Sequence, residues 1–136
     1  MKDNNCIFCK IAQGEVPSVV IYEDDKFKVI LDMGPAAKGH ALILPKEHAK
    51  NIYELSEETT AEAFVLAKKM AEKMTKALSC DGFNIVQNNE PAAGQTVFHF
   101  HIHLIPRFEG DDAKVGWNTH EITKEEMEAI AEQIKG

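Results

Sequence analysis

Apolar residues recur along this chain in two periods, and the switches between them mark out its elements. A period of two runs through FHFHIHLIP, residues 98–106. On a β-strand Phe98, Phe100, Ile102 and Leu104 share one face, and His99, His101 and His103 share the other. The first set reads as a core face, so the strand carries three imidazoles in a row above a packed sheet. VVIYE (19–23) and FKVIL (27–31) read as a hairpin around Asp24-Asp25-Lys26, HALILP (40–45) as a third strand and GFNIVQN (82–88) as a fourth. Gly34, Pro35 and Gly39 mark one loop, and NEPAAGQT (89–96) another. The period lengthens to that of a helix after Ser56, a good N-cap. There Ala61, Phe64, Ala67, Met70/Ala71, Met74 and Leu78 form the apolar stripe of a helix over 57–78. CIFCKIAQ (6–13) reads as a short helix stopped by Gly14, and Thr123-Lys124-Glu125-Glu126 as a capping box opening a C-terminal helix. The order β-β-β-α-β-β-α with short connections predicts an α+β fold. Its expected form is an antiparallel sheet of about five strands with helices on one face. One domain is expected over 1–136, with a core at about 6–107 and a C-terminal segment at 108–136.

Composition narrows the functions. The 136 residues are 44% hydrophobic and 27% charged, as in a globular protein. The formal charge is −7, and eight acidic residues face three lysines between 109 and 136. That balance argues against polymeric nucleic acid and anionic membranes as partners, while leaving a small phosphate ester within reach of a local donor cluster. The N-terminal MKDNNC lacks the apolar stretch of a secretory leader, and no run is long enough to span a bilayer. Three cysteines make a poor disulfide framework. Together these point to the cytoplasm.

The chemistry concentrates around the histidine strand. A neutral imidazole with one free lone pair is a nucleophile toward phosphorus when its other nitrogen is protonated and hydrogen-bonded. The middle ring, His101, is flanked on both sides and is the expected nucleophile. Gly94, Gln95 and Thr96 lie just before the strand, and Asn88 closes the preceding one. Their backbone and side-chain groups are neutral donors suited to phosphate oxygens. Cys6-x-x-Cys9 has the spacing of half a zinc site, which His48 and His99 could complete as a closed, tetrahedral Cys₂His₂ centre. A redox dithiol and two small packed residues are the alternatives for this pair. Cys80 reads as packed at the end of the long helix, and the helix methionines as core filler.

HFHIHLI resembles the HφHφHφφ signature of the histidine triad family, where φ is apolar. CIFCKI, YEDD, Leu31-Asp32, KGHALILPKEH (38–48), FNIVQNN and GQTVFH are similar, in order and spacing, to its Hint-like bacterial branch. The resemblance runs from Cys6 to about Arg107. It implies a nucleotide-binding homodimer whose two sheets join across a two-fold axis. It also implies hydrolysis at the α-phosphate of adenosine 5′-monophosphoramidate-type substrates through a nucleotidyl-histidine. His101 matches the nucleophile and His103 the ring that contacts the phosphate. Asn88, Gln95 and Thr96 match the phosphate-side donors, and Asp32 matches the acid that holds the ribose. Ile7, Phe8, Ile11 and Ile30 match the apolar lining around a purine base, and His40 matches a further histidine near the triad. Cys6, Cys9, His48 and His99 match the ligands of a structural zinc, one per chain.

Other readings compete. A zinc-dependent hydrolase would hold a catalytic metal on His99, His101 and another histidine. A dinucleoside polyphosphate hydrolase would differ only in its leaving group, and a nucleotide-binding interaction module would turn over little. Trp117, the only tryptophan, lies in the aperiodic stretch GDDAKVGWNTH. It reads either as an anchor that pins a loop to the core or as a ring that reaches a partner's active site.

Overall fold

The computed structural model describes residues 3–136. Helix α1 spans Ile7–Ala12. Strands β1 (Val20–Glu23), β2 (Phe27–Leu31) and β3 (Ala41–Pro45) follow, then the long helix α2 (Glu57–Leu78). Strand β4 (Gly82–Val86), a 3₁₀ turn at Pro91–Ala93, strand β5 (Ile102–Arg107) and helix α3 (Lys124–Lys135) complete the chain. The five strands form one antiparallel sheet in the order β1-β2-β3-β5-β4. The expected α+β architecture is therefore present. The β1–β2 turn is tied by Asp24, whose carboxylate accepts the backbone N–H groups of Lys26 and Phe27, both at 2.8 Å.

Strand register decides what each face carries. Val29 pairs with Ile43, and Ile43 with Ile102, so these three point to one side. Helix α2 covers that side through Ala63, Leu66, Ala67, Met70 and Met74. Phe100, Ile102 and Leu104 are fully buried there, each stabilising the fold by roughly 1.5–3 kcal/mol. The opposite face carries Ile30, Leu42 and Leu44, against which α1 packs Phe8 and Ile11. Leu42 pairs with His103, which puts that histidine on the α1 side.

Three expectations need correction. The helices do not share one face, because α1 lies on the side opposite α2. The buried stripe of α2 is Ala63-Leu66-Ala67-Met70-Met74, whereas Ala61 and Phe64 are exposed. This helix has two apolar stripes about 100° apart, and periodicity alone does not say which one meets the sheet. The third concerns the histidine strand. Its ladder begins at Ile102, so His99 and His101 precede it in an irregular lead-in, and Phe98 is 41% exposed rather than in the core. The lead-in is held instead by Phe100, whose N–H donates to the Ala49 carbonyl at 2.7 Å.

The expected capping box at Thr123 and Glu126 opens α3, yet none of that helix is buried in the single chain. Trp117 is 86% exposed, so it does not anchor a loop to its own core. No helix among the described residues is long and apolar enough to cross a membrane.

Candidate active site and metal centre

The lead-in to β5 spreads the three imidazoles over two sites. His99 turns toward α1 and the 46–49 segment, while His101 and His103 line a cleft on the α1 face. His101 Nδ1 lies 2.7 Å from the His99 carbonyl. A carbonyl only accepts, so Nδ1 carries the proton and Nε2 keeps a free lone pair. The Phe8 ring stands edge-on to His101 at 5.0 Å, and the His103 ring flanks it at 4.9 Å. His101 is thus held on three sides.

A second chain of contacts sets the neighbouring ring. The Ala36 N–H donates to His40 Nδ1 at 2.9 Å, which places the His40 proton on Nε2. That Nε2 lies 3.0 Å from His103 Nδ1 and 3.6 Å from the Asp32 carboxylate. His40 therefore donates to His103, and His103 keeps its own proton on Nε2. The pair presents complementary chemistry, with a lone pair on His101 and an N–H on His103. Burial pushes the pKa of His103 down to about 4, with the neighbouring His101 and His40 adding to the shift. Burial lowers His101 and His40 too, and Asp32 opposes it at both. All three rings are accordingly neutral at pH 7.

The cleft measures about 720 Å³, a size suited to a nucleotide. Phe8, Ile11, Ile30 and Leu42 give its wall apolar surface, and Asp32, Thr96, His101 and His103 give it polar groups. Thr96 and Asn88 form no side-chain hydrogen bond among the described residues, so both remain free to bind a ligand. Three expected residues stand outside the cleft wall; one is Asn88, whose amide lies beside Gly94. Ile7 is 45% exposed and outside the cleft wall, about 100° around α1 from Phe8. Gln95 is buried with its amide fully engaged. Its Nε2 donates to the carbonyls of Lys50 and Val97, and its Oε1 accepts the Glu90 N–H at 2.7 Å. It staples the loop and has no side-chain N–H left for a phosphate.

Cys6, Cys9, His48 and His99 converge as expected, with their ligand atoms within 4.8 Å of one another. The sulfur-to-nitrogen distances are 3.3 to 3.4 Å and the two Nδ1 atoms lie 3.3 Å apart. A tetrahedral zinc with Zn–N near 2.0 Å and Zn–S near 2.3 Å requires edges of about 3.3–3.8 Å. The donor set fits. His99 donates from Nε2 to the Pro45 carbonyl at 2.8 Å, leaving Nδ1 as the ligating lone pair. The N–H groups of Cys9 and Asp3 point at the sulfurs of Cys6 and Cys9, both at 3.3 Å. Burial raises the Cys9 pKa and lowers that of His99 to about 4. A buried thiol has no stable charge of its own here, and a cation would supply the compensation. Asp32, His40 and His103 also cluster. Coordination through His40 Nε2 would force a proton onto Nδ1, against the Ala36 N–H, so this second group is a hydrogen-bond chain.

The model of the HIT domain matches residues 13–110 of the chain. The chain belongs to the HIT family. It is 43% identical over 131 residues to adenosine 5′-monophosphoramidase hnt1 of Schizosaccharomyces pombe, covering 96% of each protein. A crystal structure from Streptococcus mutans superposes with a TM-score of 0.94 at 42% identity, over 98% of this chain and 85% of that one. A Zn-bound histidine triad family protein from Mycobacterium smegmatis superposes with a TM-score of 0.76 at 35% identity, over 96% and 95%. The HIT match begins after Cys6 and Cys9 and ends before Trp117, so the metal half-site and the C-terminal segment rest on the fold and the full-length relatives. Leu42, Met33, Val19 and Ser18 also line the cleft of this HIT protein, and sequence reasoning missed them. Leu42 could have been found only from its register opposite His103.

Proposed function

We propose that the protein is a hydrolase that cleaves adenosine 5′-monophosphoramidate-type substrates at the α-phosphorus, with His101 as nucleophile. The observation that carries this reading is the His101 hydrogen bond to the His99 carbonyl. It leaves Nε2 unprotonated on a ring that lines a nucleotide-sized cleft. In the first step the Nε2 lone pair forms a bond to phosphorus and the P–N bond to the leaving amine breaks, the amine taking one proton from solvent that the attacking water gives back in the second step. In the second step water attacks phosphorus, the P–Nε2 bond breaks, and the nucleoside monophosphate leaves with His101 restored. His103 donates from Nε2 to a phosphate oxygen, Thr96 and Asn88 add neutral donors, and Asp32 accepts from the ribose hydroxyls. Phe8, Ile11 and Ile30 enclose a purine base. The name of the fission-yeast relative, adenosine 5′-monophosphoramidase, supports the substrate class.

Cys6, Cys9, His48 and His99 hold one zinc per chain, whose chemistry is to tie α1 to the β5 lead-in. The protein acts as a homodimer. Support comes from apolar side chains left uncovered on the single chain, including Phe64 and Val65 of α2, Ile85 on the outer strand β4, and Trp117 and Ile134 of the C-terminal segment. Trp117 then lines the partner's leaving-group pocket. Free cysteines favour the cytoplasm, and the whole chain serves as one domain.

Quenching the enzyme on adenosine 5′-phosphoramidate and mapping the adduct by mass spectrometry tests this. An adenylyl group on His101, absent from His101→Ala, is the expected result. Turnover that persists in His101→Ala would overturn the mechanism.

A further inference from the structure

Among the described residues two non-glycine residues have positive φ, Ser79 and Glu90. Ser79 sits in the ordinary left-handed position that ends α2. Glu90 does not. Its φ of 76° and ψ of 157° fall in a region occupied almost only by glycine. The extended ψ is what a following proline demands, and Pro91 follows. A loop that only had to join β4 to β5 could use an unstrained turn. Strain of this kind persists where surrounding contacts over-determine the backbone.

Those contacts are on both the main chain and the side chain of Glu90. Its N–H donates to Gln95 Oε1 at 2.7 Å, and its carbonyl accepts the N–H groups of Ala93 and Gln95 at 3.0 and 3.2 Å. Its carboxylate accepts from Asn51 Nδ2 at 2.6 Å and pairs with Lys50 Nζ at 3.3 Å. Lys50 also receives Gln95 Nε2 on its carbonyl at 2.7 Å, and its ammonium lies 5.3 Å above the Phe98 ring. Residues 50 and 51 thus grip the loop near both ends. Between the grips, Gly94 takes φ +95° with a Cβ position 3.6 Å from the Asn88 amide, and Thr96 enters the cleft wall.

We infer that Glu90 is a positioning residue: its carboxylate clasp on Lys50 and Asn51 holds a strained turn that presents Gly94, Thr96 and Asn88 to the phosphorus centre. The inference rests on the nucleotidyl-transfer reading above. It assigns the clasp to the reacting end of the substrate, since the proposed function gives the base to α1 and β2 and the ribose to Asp32, which follows β2.

The test compares Glu90→Gly with Glu90→Gln in the full zinc-loaded chain. Glycine removes both the strain and the clasp, whereas glutamine keeps the dihedral demand and an oxygen for Asn51. Glu90→Gly should lose about tenfold or more in kcat on adenosine 5′-phosphoramidate, the scale of losing a charged hydrogen bond, with KM changed less than about threefold. Amide hydrogen exchange should accelerate in 88–98 and stay unchanged in α2, with the melting temperature held within a few degrees. Glu90→Gln should recover most of kcat. Wild-type kcat and exchange in Glu90→Gly would overturn the inference. So would equal losses in both variants accompanied by faster exchange throughout the chain. If the wild-type enzyme fails to turn over the phosphoramidate, the proposed function falls. The clasp is then decided by exchange alone: loss of protection confined to 88–98 in Glu90→Gly upholds it, and unchanged protection overturns it.

Discussion

Replacing His40 by leucine isolates the hydrogen-bond chain from the nucleophile. His40 is 6% exposed, and its shortest contact with a cleft-lining ring is the one to His103, with the Asp32 carboxylate farther off at 3.6 Å. The substitution removes an acceptor from the Ala36 N–H and the donor to His103 Nδ1. His103 then no longer has a fixed tautomer, and its Nε2 proton can move to Nδ1, where it faces away from the phosphate. A buried nitrogen left without its partner costs about 1–3 kcal/mol. If that cost falls on the arrangement that binds the transition state, kcat drops roughly 5- to 150-fold. KM should change less than kcat, because the proposed base site on Phe8, Ile11 and Ile30 is left intact. Steady-state kinetics on adenosine 5′-phosphoramidate gives the first readout, and ring-nitrogen NMR of His103 gives the second, a shift from the Nε2–H form to a mixture. His40→Gln, whose amide can accept and donate at once, should recover part of the loss. A kcat within twofold of wild type, or a loss of rate with the His103 tautomer unchanged, would refute the assigned role.

Other consequences are as direct. Cys6→Ala should lower the melting temperature more than it lowers kcat, because a zinc held by Cys6, Cys9, His48 and His99 would tie α1 to the β5 lead-in; elemental analysis that finds no zinc in chelator-free wild-type protein would remove the basis of this prediction. Gln95→Leu should cost about 3 kcal/mol in urea unfolding, roughly 1 kcal/mol for each of its three buried bonds. An unchanged midpoint with collapsed kcat would instead make Gln95 a direct phosphate ligand. The pH dependence follows from His103, whose pKa is lowered to about 4. Between pH 6.5 and 4 the unfolded chain binds a proton there that the folded chain does not, so stability is full above 6.5 and falls through that window as acid is added. The acid limb of kcat/KM should likewise lie below the ordinary histidine value, and a limb at 6.5 or above would contradict the buried, neutral triad.

Much of this protein was legible in its sequence because the relevant signals are local. The period of two in FKVIL and ALILP specifies strands whatever they pair with. Ser56 and Thr123 announce helix starts through bonds three residues away, and each is made as expected. The spacing of Cys6 and Cys9 on one helical turn is likewise a local fact. The residue types at His101, Asp32 and Thr96 already carried the chemistry of the cleft. Other features exist only once distant segments meet. The stripe of α2 that is buried depends on which of two apolar faces finds the sheet, and Phe64 lost to Leu66 for that reason. The start of the β5 ladder at Ile102 depends on where β3 and β4 stand, so three histidines of one pattern divided into one member of the Cys/His cluster and two cleft residues. Gln95 became a staple, not a phosphate donor, because Lys50 and Glu90 approach it from elsewhere in the chain. The tautomers of His40 and His103 were set by an N–H four residues before His40 and by a register between β3 and β5. A repeating pattern states what a side chain can do; its hydrogen-bond partners, brought together by packing, select which of those things it does.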